Sequence, residues 1–121
     1  MRIAAALTVY ASDLAASRAF YEGTLGMDVS ELGREAVRAR RGDLEIRIEG
    51  GAEKRKRGRK WMQEAGLYLT IETDDFTALH ADLTTRGAAF LGAVAADADG
   101  RRFTGLHDPD GVLIEIVEAS A

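Results

Sequence analysis

Cysteine is absent from this chain of 121 residues. That excludes disulfides, thiolate metal sites, iron–sulfur ligation and cysteine nucleophiles. Histidine is scarce: His80 and His107 are too few for a three-histidine zinc site within one chain. No apolar run approaches the length that crosses a bilayer. The opening Met1–Tyr10 has neither the apolar core nor the cleavage pattern of a signal peptide, so it reads as a first strand and the expected location is cytoplasmic. Also missing are a Ser–His–Asp spacing, a phosphate-binding glycine loop and a dinucleotide fingerprint.

The residues that are present suit a folded domain. The hydrophobic fraction is 46%, too high for a disordered chain. The length fits one domain, or two small modules that share a core. Formal net charge is -4, so the molecule as a whole does not attract nucleic acid. The stretch Lys54–Lys60 holds 6 of the 16 basic residues. The remainder carries 10 basic against 20 acidic groups. A basic loop on an acidic body lacks the extended basic face and aromatic platforms of a nucleic-acid site, so it reads as a solvated linker.

The pattern along the chain repeats. Ile3–Tyr10 reads as a strand, and Ser12 or Asp13 caps a helix carrying Leu14, Ser17, Phe20, Tyr21 and Leu25. Phe20 is assigned to the core and Tyr21 to its edge. Gly26 occupies a helix C-terminal position. Strands are expected at Met27–Leu32, Ala36–Arg41 and Leu44–Glu49, the last strictly alternating. Residues 51–66 form the linker between a first module, 1–50, and a second, 67–121. In the second, Leu67–Glu72 alternates, Asp74 or Asp75 caps a helix with Phe76, Leu79 and Leu83, and Gly87 ends it. Ala88–Leu91 starts a strand and Ala93–Arg101 is a loop. Arg102–His107 and Val112–Glu118 are strands around the turn Asp108-Pro109-Asp110-Gly111. The order is strand, helix and three strands, twice over.

Three stretches, Val9–Tyr21 with Leu25-Gly26-Met27, Tyr68–Leu83 with Arg86-Gly87, and Asp108–Ile116, resemble the vicinal oxygen chelate superfamily. That superfamily includes glyoxalase I, extradiol dioxygenases and bleomycin-binding resistance proteins. The resemblance implies an α+β fold of two βαβββ modules, with curved mixed sheets around a cavity. In metal-using members, the ligand positions match Ala6, Tyr68, Glu115 and the neighbourhood of Glu45 here. Alanine has no donor and neutral tyrosine is a weak one, so the reading assigns no metal and no cofactor.

Period-two alternation places side chains on faces. On the last strand Leu113, Glu115 and Val117 share the cavity face, and Ile114 and Ile116 pack under the helix. The same logic turns Ala4, Ala6, Thr8 and Tyr10 inward, with Glu45, Arg47 and Glu49, and with Tyr68, Thr70 and Glu72. Arg102 joins this wall if the register after the turn allows. Trp61 is a candidate aromatic lid. A carboxylate in mid-strand is costly unless it is paired or used. Glu115 is therefore a candidate acid–base or substrate-contact group, or one arm of a salt bridge with Arg47 or Arg102. An excess of carboxylates on this wall would suit a cationic or hydrogen-bond-donating ligand.

The leading reading is a metal-independent small-molecule-binding protein, acting by sequestration of an aromatic or cationic antibiotic or metabolite in clefts of a homodimer. The alternative is a small enzyme of the same fold, a lyase, isomerase or oxygenase, using Glu115 as acid–base or weak metal ligand. A nucleic-acid-associated scaffold rests on the basic run alone.

Overall fold

Leu44–Glu49 shows how the fold is built. Ile46 and Ile48 are fully buried, whereas Glu45 and Arg47 between them are not. One face of this strand therefore enters a core and the other stays open. The computed structural model describes residues 1–51 and 66–120. They fall into two compact units, Met1–Leu67 and Tyr68–Ala121. The basic run and Trp61 lie outside the described residues.

In the first unit, β1 (Leu7–Tyr10), α1 (Leu14–Ala19), β2 (Asp28–Gly33), β3 (Ala36–Arg41) and β4 (Leu44–Glu49) occur in that order. The sheet runs β1-β4-β3-β2, with β1 parallel to β4 and the other neighbours antiparallel. Asp13 caps α1 by accepting a hydrogen bond from the Ala16 N–H at 3.1 Å. Val9, Val37, Ala39, Ile46 and Ile48 line the buried face, against which α1 packs. The strand expected from Ile3 starts only at Leu7; residues 1–6 are exposed, Ala4 and Ala6 with them.

After α1 the chain makes a π-helical turn over Phe20–Thr24. The Leu25 N–H reaches the Phe20 carbonyl, five residues back. The wider turn rotates its side chains out of α-helical phase. Tyr21 is fully buried and Phe20 is only half-buried, the reverse of the sequence expectation. Gly26 then takes φ 67, the left-handed conformation that suits glycine.

The second unit holds β5 (Leu69–Thr73), α2 (Phe76–Thr85), β6 (Ala95–Ala96), β7 (Arg102–His107) and β8 (Leu113–Glu118). Its sheet runs β5-β8-β7-β6, again with one parallel pair, β5 with β8. Asp75 caps α2 through the Ala78 N–H at 3.0 Å. Ile114, Ile116, Leu106 and Leu83 form the core. The strand expected at Ala88–Leu91 is not formed. The Ala88 N–H instead bonds back to the Leu83 carbonyl while Gly87 sits at φ 86, so these residues finish the helix. The short β6 lies within the stretch expected to be a loop.

The fold class is thus α+β, with two four-stranded mixed sheets of the same strand order. Among the described residues, no helix is long and apolar enough to cross a membrane.

Candidate functional site

Each sheet turns one face toward the helix of its own unit and the other away from it. We call the second the open face. Pairing register decides which side chains stand there. In the first unit Thr8 lies beside Arg47, and Tyr10 beside Glu49, across the parallel β1–β4 pair. Across β3–β4, Arg38 is opposite Arg47 and Arg40 is opposite Glu45. Thr8, Tyr10, Arg38, Arg40, Glu45 and Arg47 therefore share one open face.

That face is richer in arginine than the sequence pattern led us to expect. Arg38 and Arg40 were not among the expected wall residues. The signal for them was present in Ala36-Val37-Arg38-Ala39-Arg40, where small and apolar residues alternate with arginine. All three guanidiniums address Glu45. Arg40 Nε donates to Glu45 Oε1 at 2.8 Å and Arg47 Nε to Oε2 at 3.0 Å. Arg38 Nε stands 3.6 Å from Oε1. The hydrogen bond from Arg40, aided by the one from Arg47, holds the Glu45 carboxyl below the usual glutamate range against the opposing effect of burial.

The open face of the second sheet is different. Thr70 pairs with Glu115, Glu72 with Val117, Phe103 with Val117 and Gly105 with Glu115. Leu113, Glu115 and Val117 lie on this face, as their alternation requires. Glu115 is half-buried and has no hydrogen-bond or ion-pair partner among the described residues. The salt bridge to Arg102 is not formed, because Arg102 stands on the other face of this sheet. Opposite it, Gly105 contributes no side chain. A Cβ there would meet Leu113 Cδ1 at 3.6 Å and Leu91 Cδ1 at 3.7 Å. Glu115 thus sits among apolar neighbours, with Thr70 alongside. Glu72 and Tyr68 are exposed.

Arg102 does not belong to this wall. It stands on the helix face, with Thr104 and Leu106, because the β7–β8 register sets Phe103 against Val117. There its Nη2 donates to Glu118 Oε2 at 2.7 Å and its Nη1 to Thr77 Oγ1 at 3.1 Å, and its guanidinium lies 4.9 Å from the Phe76 ring centroid. The fork clamps α2 to the sheet. Hydrogen bonds from the Arg102 side chain and backbone hold the Glu118 carboxyl below its usual range, and Glu118 in turn raises the Arg102 guanidinium. His80 stacks between Phe76 and Phe90, with centroids 5.9 and 4.7 Å away, and His107 is exposed.

The donor set does not suit a transition-metal site. Ala6 supplies no ligand, and both oxygens of Glu45 accept from guanidiniums. Among the described residues, no three His, Cys, Asp or Glu side chains converge closely enough to hold an ion.

Comparison with known proteins agrees with this architecture. The model of the glyoxalase/bleomycin resistance protein/dioxygenase superfamily matches residues 3–116. A glyoxalase/bleomycin resistance protein/dioxygenase from Alicyclobacillus acidocaldarius is similar in structure, with TM-score 0.75 and 18% identity over 95% of this chain and 89% of that one. A bleomycin-binding protein complexed with bleomycin gives TM-score 0.72 and 18% identity over 98% of this chain and 100% of that one. An integron cassette protein from V. cholerae gives TM-score 0.68 and 22% identity over 99% and 98%. No functionally curated protein matches the chain.

Proposed function

We propose, for a chain that belongs to the glyoxalase/bleomycin resistance protein/dioxygenase superfamily, metal-independent binding of a small molecule on the open sheet faces, by sequestration in clefts of a homodimer. The observation that carries this reading is the fate of the carboxylates. Glu45 is occupied by Arg40 and Arg47, and Glu115 stands without a partner among the described residues, flanked by Leu113 and Val117. Such a face offers apolar contact and a single oriented polar group, which is what a small ligand needs for affinity and orientation. Sequestration needs affinity alone, so the missing histidine-type ligands are no obstacle. A neighbour of the same fold was solved with bleomycin bound, which supports a ligand on this scaffold.

The expected carboxylate-rich wall is replaced on the first sheet by arginines, so a cationic ligand is no longer favoured there. A second reading is favoured by the same unpaired Glu115: a lyase, isomerase or oxygenase in which it moves a proton at a substrate atom. The proposal includes a homodimer and a cytoplasmic location.

The test is dialysis of the full chain against a cell extract, with elemental analysis and mass spectrometry of the retained material. Retention of an organic compound that is released unchanged, with no stoichiometric transition metal, supports sequestration. One tightly bound transition metal per chain, or steady conversion of the retained compound, would sink it.

A further inference from the structure

The first sheet carries more positive charge around Glu45 than stability requires. Arg38 and Arg47 are direct cross-strand partners, and like charges placed opposite each other weaken strand pairing. One arginine would neutralise Glu45, yet three surround it. Ion pairs this close to solvent contribute little to folding. The Glu45 side chain is 16% exposed, whereas those of Arg38, Arg40 and Arg47 are 30%, 60% and 44% exposed. The anion is therefore the sheltered member, and the cations ring it.

Donors also outnumber acceptors. Each guanidinium offers several N–H groups, and the carboxylate has only two oxygens. One donor is unsatisfied: Arg38 Nε is shielded from solvent, stands 3.6 Å from Glu45 Oε1 and has no hydrogen-bond partner among the described residues. A buried donor left unpaired is costly, and a turn of the guanidinium toward an incoming oxygen would satisfy it. The arginines rise from β3 and β4, the two inner strands, so their backbones are held on both sides. Two other acids share this face: Asp28, on the edge strand β2 directly opposite Arg40, and Glu49, at the end of β4. Thr8 adds a hydroxyl beside Arg47.

We propose that Arg38, Arg40 and Arg47 form an oxyanion subsite that holds the carboxylate or phosphate group of a small molecule, with Glu45 as its internal counter-ion. Guanidinium forks match both oxyanions in geometry. Glu45 keeps the three side chains gathered at one point until the ligand arrives. The inference rests on the small-molecule-binding reading and gives that ligand a negative charge.

The test titrates the full chain at constant ionic strength with inorganic phosphate, with benzoate, and with benzamidine as a cation of similar size. Arginine Nε–H signals are tracked by NMR. Saturable shifts at Arg38, Arg40 and Arg47 with phosphate or benzoate are expected, and whichever anion binds more tightly identifies the oxyanion class. Arg38→Gln is expected to weaken that binding about tenfold. Arg38→Lys should restore only part of it, and Arg86→Gln, in the second unit, should leave it unchanged. If Arg38→Gln does not fold, Arg40→Gln carries the same test. The proposal is overturned if neither anion saturates these signals, or if both bind equally well to the variants. Saturable benzamidine binding on this face with the anions silent would overturn it while leaving the binding reading intact. Anion binding to the cluster by a protein that retains no organic compound from extract would support the subsite and remove the sequestration reading.

Discussion

The two units have the same strand order but place their charged clusters on opposite faces. In the first, Arg38, Arg40 and Arg47 gather around Glu45 on the open face. In the second, the multidentate pair of Arg102 with Glu118 lies on the helix face, and on the open face Glu115, between Leu113 and Val117 and beside Thr70, has no partner among the described residues. The buried helix faces, by contrast, are alike: β4 contributes Ile46 and Ile48, and β8 contributes Ile114 and Ile116. Topology comes from what the helix faces share. The open faces, which the core does not constrain, are where the two halves have come to differ in chemistry.

If the cores are equivalent, deleting matched residues costs the same in both. Ile48→Ala and Ile116→Ala are each expected to lose about 3 kcal/mol in urea unfolding. A large loss in one with almost none in the other would break the symmetry. The open faces should part company. Glu115→Gln is expected to change affinity for a retained ligand about tenfold while leaving the unfolding midpoint in place, since no partner is lost. Glu45→Gln, which leaves Arg38 and Arg47 opposed with no counter-ion between them, is expected to lower the midpoint slightly. A comparable drop in Glu115→Gln would mean that Glu115 has a structural role too.

The helix caps probe the likeness of the two units at smaller scale. Asp13→Ala and Asp75→Ala each remove one side-chain acceptor from a helix N-terminus. Each should cost about 1 kcal/mol in thermal or urea unfolding. The smallest effect concerns acid. Glu45 and Glu118 both have carboxyls held below the ordinary value of 4.5. Their contribution is therefore present above that value and is lost as pH falls through their lower folded-state values. Unfolding midpoints between about pH 6 and about pH 3 should fall less steeply in Glu118→Gln than in the unmodified chain. An unchanged slope would show that the Arg102 clamp does not depend on the charge of Glu118.

Alternation and punctuation made much of this legible in the sequence. Leu44–Glu49 and Val112–Glu118 announce their two faces, and Asp13, Asp75, Gly26 and Gly87 mark helix ends. The features that escaped depend on partners or on irregular backbone. Tyr21 turns inward because a π turn breaks the helical period, which residue spacing does not encode. Arg102 changes face because cross-strand register, and not its own sequence, sets it against Glu118. Ala95–Ala96 becomes a strand through pairing with Arg102–Phe103 and not through propensity. Thr8, Tyr10, Glu45 and Arg47 share one side of the first sheet, and Thr70, Glu72 and Glu115 share one side of the second, as alternation requires. Arg38 and Arg40 obey the same rule in β3 and complete the charge cluster.

Binding of a small molecule on the open faces, and its release unchanged, are open to direct measurement. Native mass spectrometry of the full chain after exposure to cell extract provides it. The expected result is a discrete added mass per chain that denaturation frees as the intact compound, with Glu115→Gln reducing its occupancy. A chain that retains nothing, or that steadily converts the compound it had bound, would contradict the sequestration reading.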